Sequence, residues 1–151
     1  MKNKLVIVTG ASSGIGKACA EKFAQEGANL VLAARSADKL REVAENIARY
    51  GVQVLPVVTD VSIEVECKRL IKSAINKFGR IDVLVNNAGI SMRAPFYNLD
   101  ISVLKKVMDV NFWGTVYCTR YAISSILQNK GSIVGVSSIA GYKGLPGRTG
   151  Y

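Results

Sequence analysis

The chain has 151 residues, 49% of them hydrophobic, which is enough to bury one core, so we expect a single domain over residues 1–151. The net charge is +9, but the basic residues, among them Lys39, Arg41 and Lys68, are scattered along predicted helices as solvated faces, which argues against a nucleic-acid partner. No apolar run reaches membrane-spanning length, the residues before the first strand lead us to expect no signal peptide, and the three cysteines lack metal-ligand spacing. We therefore expect a cytoplasmic protein without a membrane span, a metal site or a disulfide framework.

Short apolar runs alternate with helical stripes along the chain. The runs predict five strands, at residues 5–9, 29–34, 52–58, 81–85 and 132–136. Strands that alternate with helices through short joints predict an α/β fold with a doubly wound, Rossmann-like parallel sheet in three layers. Ligands in such sheets bind beyond the carboxyl ends of the strands.

The helical stripes predict which side chains face the core. The expected inner residues are Ile15, Ala18, Cys19 and Phe23 in the first helix, Leu40, Val43, Ala44 and Ile47 in the second, Cys67, Leu70, Ile71, Ala74 and Phe78 in the third, and Leu104, Met108, Asn111, Thr115, Cys118, Ala122 and Ile126 in the fourth. Ser36 is the expected N-cap of the second helix, Asp60 and Ser62 open the third, and the long fourth begins near Asp100. Because Asn111 is polar, its amide must bond to backbone, water or both.

The turn between the first strand and the first helix carries the pattern Thr-Gly-x-x-x-Gly-x-Gly over residues 9–16. Glycine lets the backbone turn sharply and approach a ligand, and the amides at a helix N-terminus face an anion. The alternative is a plain turn between a strand and a helix. We favour a nucleotide phosphate here, with a cofactor contacted by Gly10, Ser12, Ser13, Gly14, Ile15 and Gly16.

The end of the second strand predicts which dinucleotide binds. An acidic residue about 20 positions after the glycine turn accepts a hydrogen bond from the ribose of NAD, but this strand ends Ala33-Ala34-Arg35-Ser36 without one. The planar guanidinium of Arg35 suits a phosphate, and the hydroxyl of Ser36 adds a donor. We predict NADP(H) rather than NAD(H), the alternative being that Arg35 is a surface residue.

The glycine turn and Asn86-Asn87-Ala88-Gly89 stand on the first and fourth strands of the same predicted sheet. Together they resemble the short-chain dehydrogenase/reductase family, and the resemblance covers the whole chain. It implies that Asp60 and Val61 hold the adenine, and that Asn87, Ala88 and Gly89 line the path of the cofactor.

The same resemblance implies catalytic roles near the end of the chain. Ser138 would polarise a substrate carbonyl, Tyr151, 13 positions later, would exchange the proton, and Asn111 would anchor a water in the proton relay. The family's Tyr-x-x-x-Lys motif is represented only by its tyrosine, because the sequence stops at Tyr151. We therefore expect the chain to be incomplete at its C-terminal end relative to the family, with the fifth strand as an uncovered edge.

The sequence leads to two hypotheses about function. The first is an NADP(H)-dependent oxidoreductase that interconverts a carbonyl and a secondary alcohol, and the second is a non-catalytic NADP(H)-binding module or inactive fragment. The loops expected beside the substrate contain Met, Phe, Tyr and Leu, so an apolar small molecule would be tolerated. Family members usually associate, so the resemblance implies a homo-oligomer for a complete chain.

Overall fold

The computed structural model describes residues 1–151 and consists of one parallel sheet between two layers of helices. Its strands are β1 (Leu5–Thr9), β2 (Asn29–Ala34), β3 (Val54–Val58), β4 (Val83–Asn86) and β5 (Ser132–Gly135). They lie in the order β3-β2-β1-β4-β5, and all neighbours are parallel. The expected doubly wound sheet is confirmed, with β3 and β4 beginning two residues later than predicted.

Five helices flank the sheet. They are α1 (Gly14–Gln25), α2 (Ala37–Ala48), α3 (Glu64–Phe78), α4 (Ile101–Met108) and α5 (Gly114–Gln128), with a π-helical segment (Asp109–Trp113) between α4 and α5 and short 3-10 turns at Phe96–Asn98 and Ile139–Gly141. Two apolar clusters separate the layers: residues of α2 pack with Val6 and Val8 on one face of β1, and residues of α3 and α5 pack with Leu5 and Ile7 on the other. This alternation follows from the two-residue repeat of a strand.

The predicted inner face of α1 is wrong at Ile15 and Ala18, whereas Phe23 packs against the core as expected and Cys19 is half-buried. The buried residues are Gly16, Ala20 and Ala24, whereas Ile15 is 62% exposed and Ala18 is also exposed. A Cβ on Gly16 would collide with the Gly10 carbonyl, so α1 lies too close to the turn for a larger side chain. Close packing therefore selects the small residues, and the hydrophobic pattern alone pointed to the large ones.

The predictions for α2 and α3 are largely confirmed. All four expected residues of α2 are buried and Ser36 is its N-cap, and in α3 only Phe78 of the expected set is not fully buried. The N-cap of α3 is Ile63 rather than Asp60 or Ser62. Asp60 instead accepts hydrogen bonds from the amide and hydroxyl of Ser62, at 3.0 and 2.7 Å, which closes the turn before the helix.

The long fourth helix begins at its N-cap Asp100, as expected, but it is not continuous. The π-helical segment inserts an extra residue into the turn and shifts the inner face, so that Val107 and Val110 are buried and Met108 is 47% exposed. Cys118, Ala122 and Ile126, beyond the segment, are buried as predicted.

At the amino end of the sheet, the buried carboxylate of Asp82 joins β1 to β4. It accepts hydrogen bonds from the Leu5 amide at 2.8 Å, from Arg80 Nε at 2.8 Å and from Lys4 Nζ at 3.1 Å. Burial by itself raises the pKa of Asp82, but the hydrogen bonds from Arg80, Leu5 and Lys4 outweigh it and leave that pKa below its usual value. This cluster fixes the end of the sheet opposite the predicted ligand side.

Several further expectations concern the surface and the cysteines. All three cysteines are free, as expected, with Cys67 and Cys118 in the core and Cys19 half-buried. None of the helices has both the length and the apolar character needed to cross a membrane. Strand β5 pairs only with β4, and its four residues are exposed.

Candidate functional site

A cleft runs along the carboxyl ends of the strands, where the chain order of the sheet reverses between β1 and β4. One part, of about 430 Å³, lies over β1, β2 and β3, and a second part, of about 550 Å³, lies over β4 and β5. Both parts are lined by the same five residues: Ile15, Asn87, Ala88, Gly89 and Ile90. The two parts therefore form a single groove that an extended ligand can occupy.

The glycine turn shapes the floor of the first part. Gly10 and Gly14 have φ angles of +66° and +54°, a region that favours glycine, and a Cβ on Gly10 would lie 2.8 Å from Asn87 Nδ2. Gly10, Ser12, Ser13 and Ile15 line the cleft. Gly14 and Gly16 do not line it and act by setting the path of the turn. The first helical hydrogen bond runs from the Lys17 amide to the Ser13 carbonyl, so the preceding amides have no partner within the helix.

Thr9 and Asn87 hold this turn against the end of β4. The Thr9 hydroxyl donates to the Val85 carbonyl at 3.3 Å and accepts from the amides of Asn87 and Ala88, each at 3.0 Å. Asn87 Nδ2 donates to the Thr9 carbonyl at 2.9 Å. The side-chain amide of Asn87 thus supports the backbone of the turn, while the residue also lines the cleft.

The end of β2 carries the positive charge of the cleft. Arg35, Ser36 and Lys39 line it together with Ala34, at the position where an acidic residue would accept the ribose hydroxyl. Arg35 and Lys39 form no ion pair with any carboxylate, and the hydroxyl of Ser36 makes no capping bond to α2. The group is therefore free to bind an anion.

Asp60 and Val61 lie beyond β3 and line the same part of the cleft with Thr59. The bonds from Ser62 fix the Asp60 carboxylate, and the Asp60 amide donates to Glu66 Oε2 at 2.7 Å. Val61 packs against α5 so closely that a Cβ on Gly114 would lie 2.7 Å from its Cγ2. An apolar surface beside a fixed carboxylate suits a flat heterocycle with an exocyclic amine.

The second part of the cleft contains the three predicted catalytic residues. Ser138, Asn111 and Tyr151 all line it, with Ser137 and Thr115 beside them. Ser138 Oγ accepts a hydrogen bond from the Ala140 amide at 3.1 Å, which leaves the hydroxyl proton available to a ligand oxygen. The structure therefore places these three side chains in one cavity.

Asn111 lies in the π-helical segment, and both the oxygen and the nitrogen of its side-chain amide form hydrogen bonds. The Ile90 amide donates to Asn111 Oδ1 at 2.8 Å, and Asn111 Nδ2 donates to the Ile90 carbonyl at 2.9 Å. The expectation that Asn111 bonds backbone groups is confirmed. The pair links the helix irregularity to the loop that leaves β4.

The segment bearing Tyr151 is joined to the same loop. Arg148 Nη1 donates to Ser91 Oγ at 2.6 Å, the Ala94 amide donates to the Gly147 carbonyl at 2.8 Å, and the Arg148 guanidinium lies 5.6 Å from the centre of the Tyr151 ring. Ser91 and Tyr151 both line the cavity. Arg148 therefore contacts two of its lining residues, one from the loop after β4 and one from the last segment of the chain.

Comparison with known proteins identifies the family to which this chain belongs. The sequence profile described as short chain dehydrogenase matches residues 4–151. The chain belongs to the short-chain dehydrogenase family. The resemblance drawn from the glycine turn and the Asn-Asn-Ala-Gly segment is thereby confirmed.

Relatives within the family are 44% and 46% identical to this chain over the aligned residues. The 11-beta-hydroxysteroid dehydrogenase-like 4A of Arabidopsis thaliana is 44% identical over 149 residues, which cover 97% of this chain and 50% of that protein. The 11-beta-hydroxysteroid dehydrogenase 1A of the same plant is 46% identical over 145 residues, 95% of this chain and 42% of that protein. The chain thus spans about half the length of the curated relatives it matches.

Two solved structures carry nicotinamide cofactors on the same fold. An alcohol dehydrogenase from the archaeon Thermococcus sibiricus, complexed with 5-hydroxy-NADP, has a TM-score of 0.96 at 30% identity and covers 98% of this chain and 63% of its own. An NAD⁺-bound xylitol dehydrogenase has a TM-score of 0.95 at 31% identity, covering 99% and 58%. The two neighbours hold different dinucleotides, so the fold alone does not decide between them.

Sequence reasoning missed several residues of the cleft. Lys39, interpreted as a solvated helix face, lines the first part, and the missed set is Lys39, Thr59, Val110, Thr115, Gly135, Val136 and Ser137. Thr9 entered the glycine pattern without a role, although its hydroxyl makes three hydrogen bonds. A threonine as the last residue of a strand and directly before the turn glycine was the available signal for that role.

Proposed function

We propose that the protein is an NADP(H)-dependent oxidoreductase that interconverts a carbonyl and a secondary alcohol. The observation that carries the proposal is the continuity of the cleft. It extends from the cationic group at Arg35, over the glycine turn, to the cavity that contains Ser138 and Tyr151. A dinucleotide and a small substrate require such a groove, with phosphate-binding groups at one end and proton-exchanging groups at the other.

The residues of the first part match the components of NADP(H). The free amides and the hydroxyls of Ser12 and Ser13 suit the pyrophosphate, and Asp60 with Val61 suits the adenine. Arg35 and Ser36 suit a ribose phosphate, and the absence of an acid at Ala34 favours NADP(H) over NAD(H). When bound, the cofactor supplies the hydride, which no protein side chain can provide.

The residues of the second part suit the oxygen of the substrate. Ser138, whose oxygen already accepts from the Ala140 amide, would donate its proton to the carbonyl oxygen and polarise it. Tyr151 would give a proton to that oxygen in reduction and take it back in oxidation. Asn111 would hold the loop at Ile90 and anchor a water in the relay to Tyr151.

An apolar ketone or alcohol is the substrate class that we favour. Relatives at 44% and 46% identity are named hydroxysteroid dehydrogenases. In this chain Ile90 and Val136 contribute apolar surface to the second cavity. A steroid ketone such as cortisone is therefore a suitable first probe.

Replacement of Tyr151 by Phe tests the proposal in the full-length protein. With NADPH and cortisone, Y151F should lose turnover by at least about a hundredfold, in the range for removal of a general acid–base group, and retain NADP⁺ binding. Tyr142→Phe is the matched control, because Tyr142 is 97% exposed and does not line the cavity. Normal turnover in Y151F would reject the assignment, and NADP⁺ binding without turnover of any carbonyl by the wild type would favour the non-catalytic module.

We further propose a reducing, cytoplasmic compartment and a homo-oligomeric state. Three free cysteines support the former. The homo-oligomeric state is supported by exposed apolar side chains at the end of α4 and in the π-helical segment, those of Met108, Phe112 and Trp113. The mass of the full-length protein by light scattering would test the oligomer, since a monomeric mass at micromolar concentration is the contrary result.

A further inference from the structure

The positive end of the cleft contains a second cation whose role the sequence pattern did not indicate. Lys39 follows Arg35 by four positions and lines the same cavity, together with Ser36. It belongs to the first turn of α2, in which Ser36 is the N-cap. The two side chains therefore approach one space from two successive segments, the end of β2 and the start of a helix.

Nothing within the protein neutralises this pair. The nearby Asp38 contacts Arg41, at 3.9 Å, and its side chain is 96% exposed, while neither Arg35 nor Lys39 has a carboxylate partner. Two unpaired cations in one cavity repel each other, and a positive charge in the first turn of a helix opposes the helix dipole. A bound anion would offset both the repulsion between the two cations and the unfavourable interaction of Lys39 with the helix dipole.

The arrangement also differs from that of the other basic residues. Lys17, Lys22, Arg41 and Arg69 pair with acids on their own helices, as expected for solvated faces. Lys72 on α3 is exposed and unpaired but lies outside the cleft, so it serves as a comparison for charge alone. The cavity position distinguishes Lys39 from these residues.

We propose that Lys39 is a specificity-determining residue that, with Arg35, binds the ribose 2′-phosphate of NADP(H). The proposal rests on the NADP(H) preference argued above and adds a second ligand to it. Arg35 supplies a planar, two-pronged donor, whereas Lys39 supplies a compact charge on a flexible stem that can follow the phosphate. Together they would discriminate NADP(H) from NAD(H) more strongly than either cation does alone.

Calorimetric titration with NADP⁺, NAD⁺, 2′,5′-ADP and 5′-ADP tests the proposal on the protein without any substrate. Lys39→Met, which keeps the stem and removes the charge, should weaken NADP⁺ and 2′,5′-ADP roughly three- to tenfold and change NAD⁺ and 5′-ADP by less than about twofold. Lys39→Arg should restore most of the loss. Lys72→Met is the matched control and should leave all four affinities unchanged.

A double-mutant cycle with Arg35→Met separates this inference from the proposal on which it rests. If both cations bind one phosphate, the losses in R35M and K39M should be non-additive, and the preference for NADP⁺ should nearly vanish in the double variant. Equal losses for NADP⁺ and NAD⁺ in K39M, or no loss, would overturn the role of Lys39. An unchanged NADP⁺ to NAD⁺ ratio in R35M would instead reject the 2′-phosphate site as a whole.

Discussion

Asn111 and Ile90 exchange two hydrogen bonds, with Asn111 Oδ1 accepting from the Ile90 amide and Asn111 Nδ2 donating to the Ile90 carbonyl. The pair connects the π-helical segment with the loop after β4, and both residues line the second part of the cleft. The side-chain amide of asparagine supplies both the acceptor and the donor that this pair of hydrogen bonds needs. The irregular helix turn is therefore part of the cavity wall.

Loss of the Asn111 amide should destabilise the protein. Asn111→Ala leaves the partly buried amide and carbonyl of Ile90 without partners, and we expect the free energy of unfolding to fall by about 1–3 kcal/mol. Asn111→Asp keeps the acceptor but loses the donor, so it should not restore stability. Urea denaturation measures both, with the exposed Asn98→Ala as the control. Wild-type stability in N111A would show that the pair is dispensable.

Substitution by alanine should be costly at Gly16, which lies in the glycine turn, and harmless at Gly144, which lies outside it. A Cβ on Gly16 would collide with the Gly10 carbonyl and with Asn87 Nδ2, whereas a Cβ on Gly144 would meet nothing within 4 Å. We expect Gly16→Ala to cost about 1–3 kcal/mol of unfolding free energy, as for overpacked sites, and to weaken NADP⁺ binding. Gly144→Ala should be neutral within about 0.5 kcal/mol. Equal effects in thermal melts would contradict the close packing of α1 on the turn.

The Asp82 cluster should make stability fall in acid. Because the pKa of Asp82 in the folded protein lies below its value in the unfolded chain, the carboxylate contributes stability that is complete above the unfolded pKa of about 4 and is lost as the pH falls through the folded pKa. Asp82→Asn should cost about 2–3 kcal/mol near pH 7 and flatten the decline below about pH 4.

Denaturation profiles at several pH values measure this effect. The exposed Asp38→Asn is the control and should follow the wild-type profile. If the free energy of unfolding of D82N fell with pH as steeply as that of the wild type, other carboxylates would be responsible for the acid sensitivity.

Arg148 should hold the loop after β4 against the segment that carries Tyr151. If its hydrogen bond to Ser91 supports the neighbouring bond from the Ala94 amide to the Gly147 carbonyl, then Arg148→Met should speed hydrogen exchange at that amide. We expect a factor of roughly two to five, as for an exposed polar contact, and a similar factor in Ser91→Ala. Arg120→Met, on the outer side of α5, is the control. Unchanged exchange at Ala94 in both variants would show that the two contacts are independent.

The strands could be predicted well because a buried parallel strand is a continuous apolar run. The runs at 5–9 and 29–34 match β1 and β2 without error. The start of β3 was set two residues early, because Val52 is apolar but precedes the ladder with β2. Hydrophobic pattern thus locates a strand more reliably than it locates the strand's ends.

The helix faces could be predicted only where the helix is regular and packs at an ordinary distance. The stripe of α2 meets both conditions and is correct in full. Contact between α1 and the glycine turn depends on small residues, and the π-helical turn at Asn111 shifts Met108 outward. Neither the close packing of a helix on a turn nor an inserted π-helical residue can be recognised from the spacing of apolar residues in the sequence.

The candidate site could be predicted from the residues at the carboxyl ends of the strands, since these ends meet at one edge. Lys39 was missed because it lies inside a helix, where a lysine resembles any solvated residue until the helix is placed beside the end of β2. Arg148 was missed for a similar reason, because its partner Ser91 is 57 positions away. Both depend on tertiary contacts rather than on local pattern.

Transfer of deuterium to cortisone from NADPH that carries deuterium at both C4 positions tests the central proposal most directly, with the full-length protein as catalyst. If the cleft places the cofactor beside the carbonyl held by Ser138 and Tyr151, the alcohol formed should carry deuterium on its carbinol carbon, and Y151F should form it at least about a hundredfold more slowly. An alcohol product that lacks the label, with its carbon-bound hydrogen drawn from solvent, would contradict direct hydride transfer in this cleft.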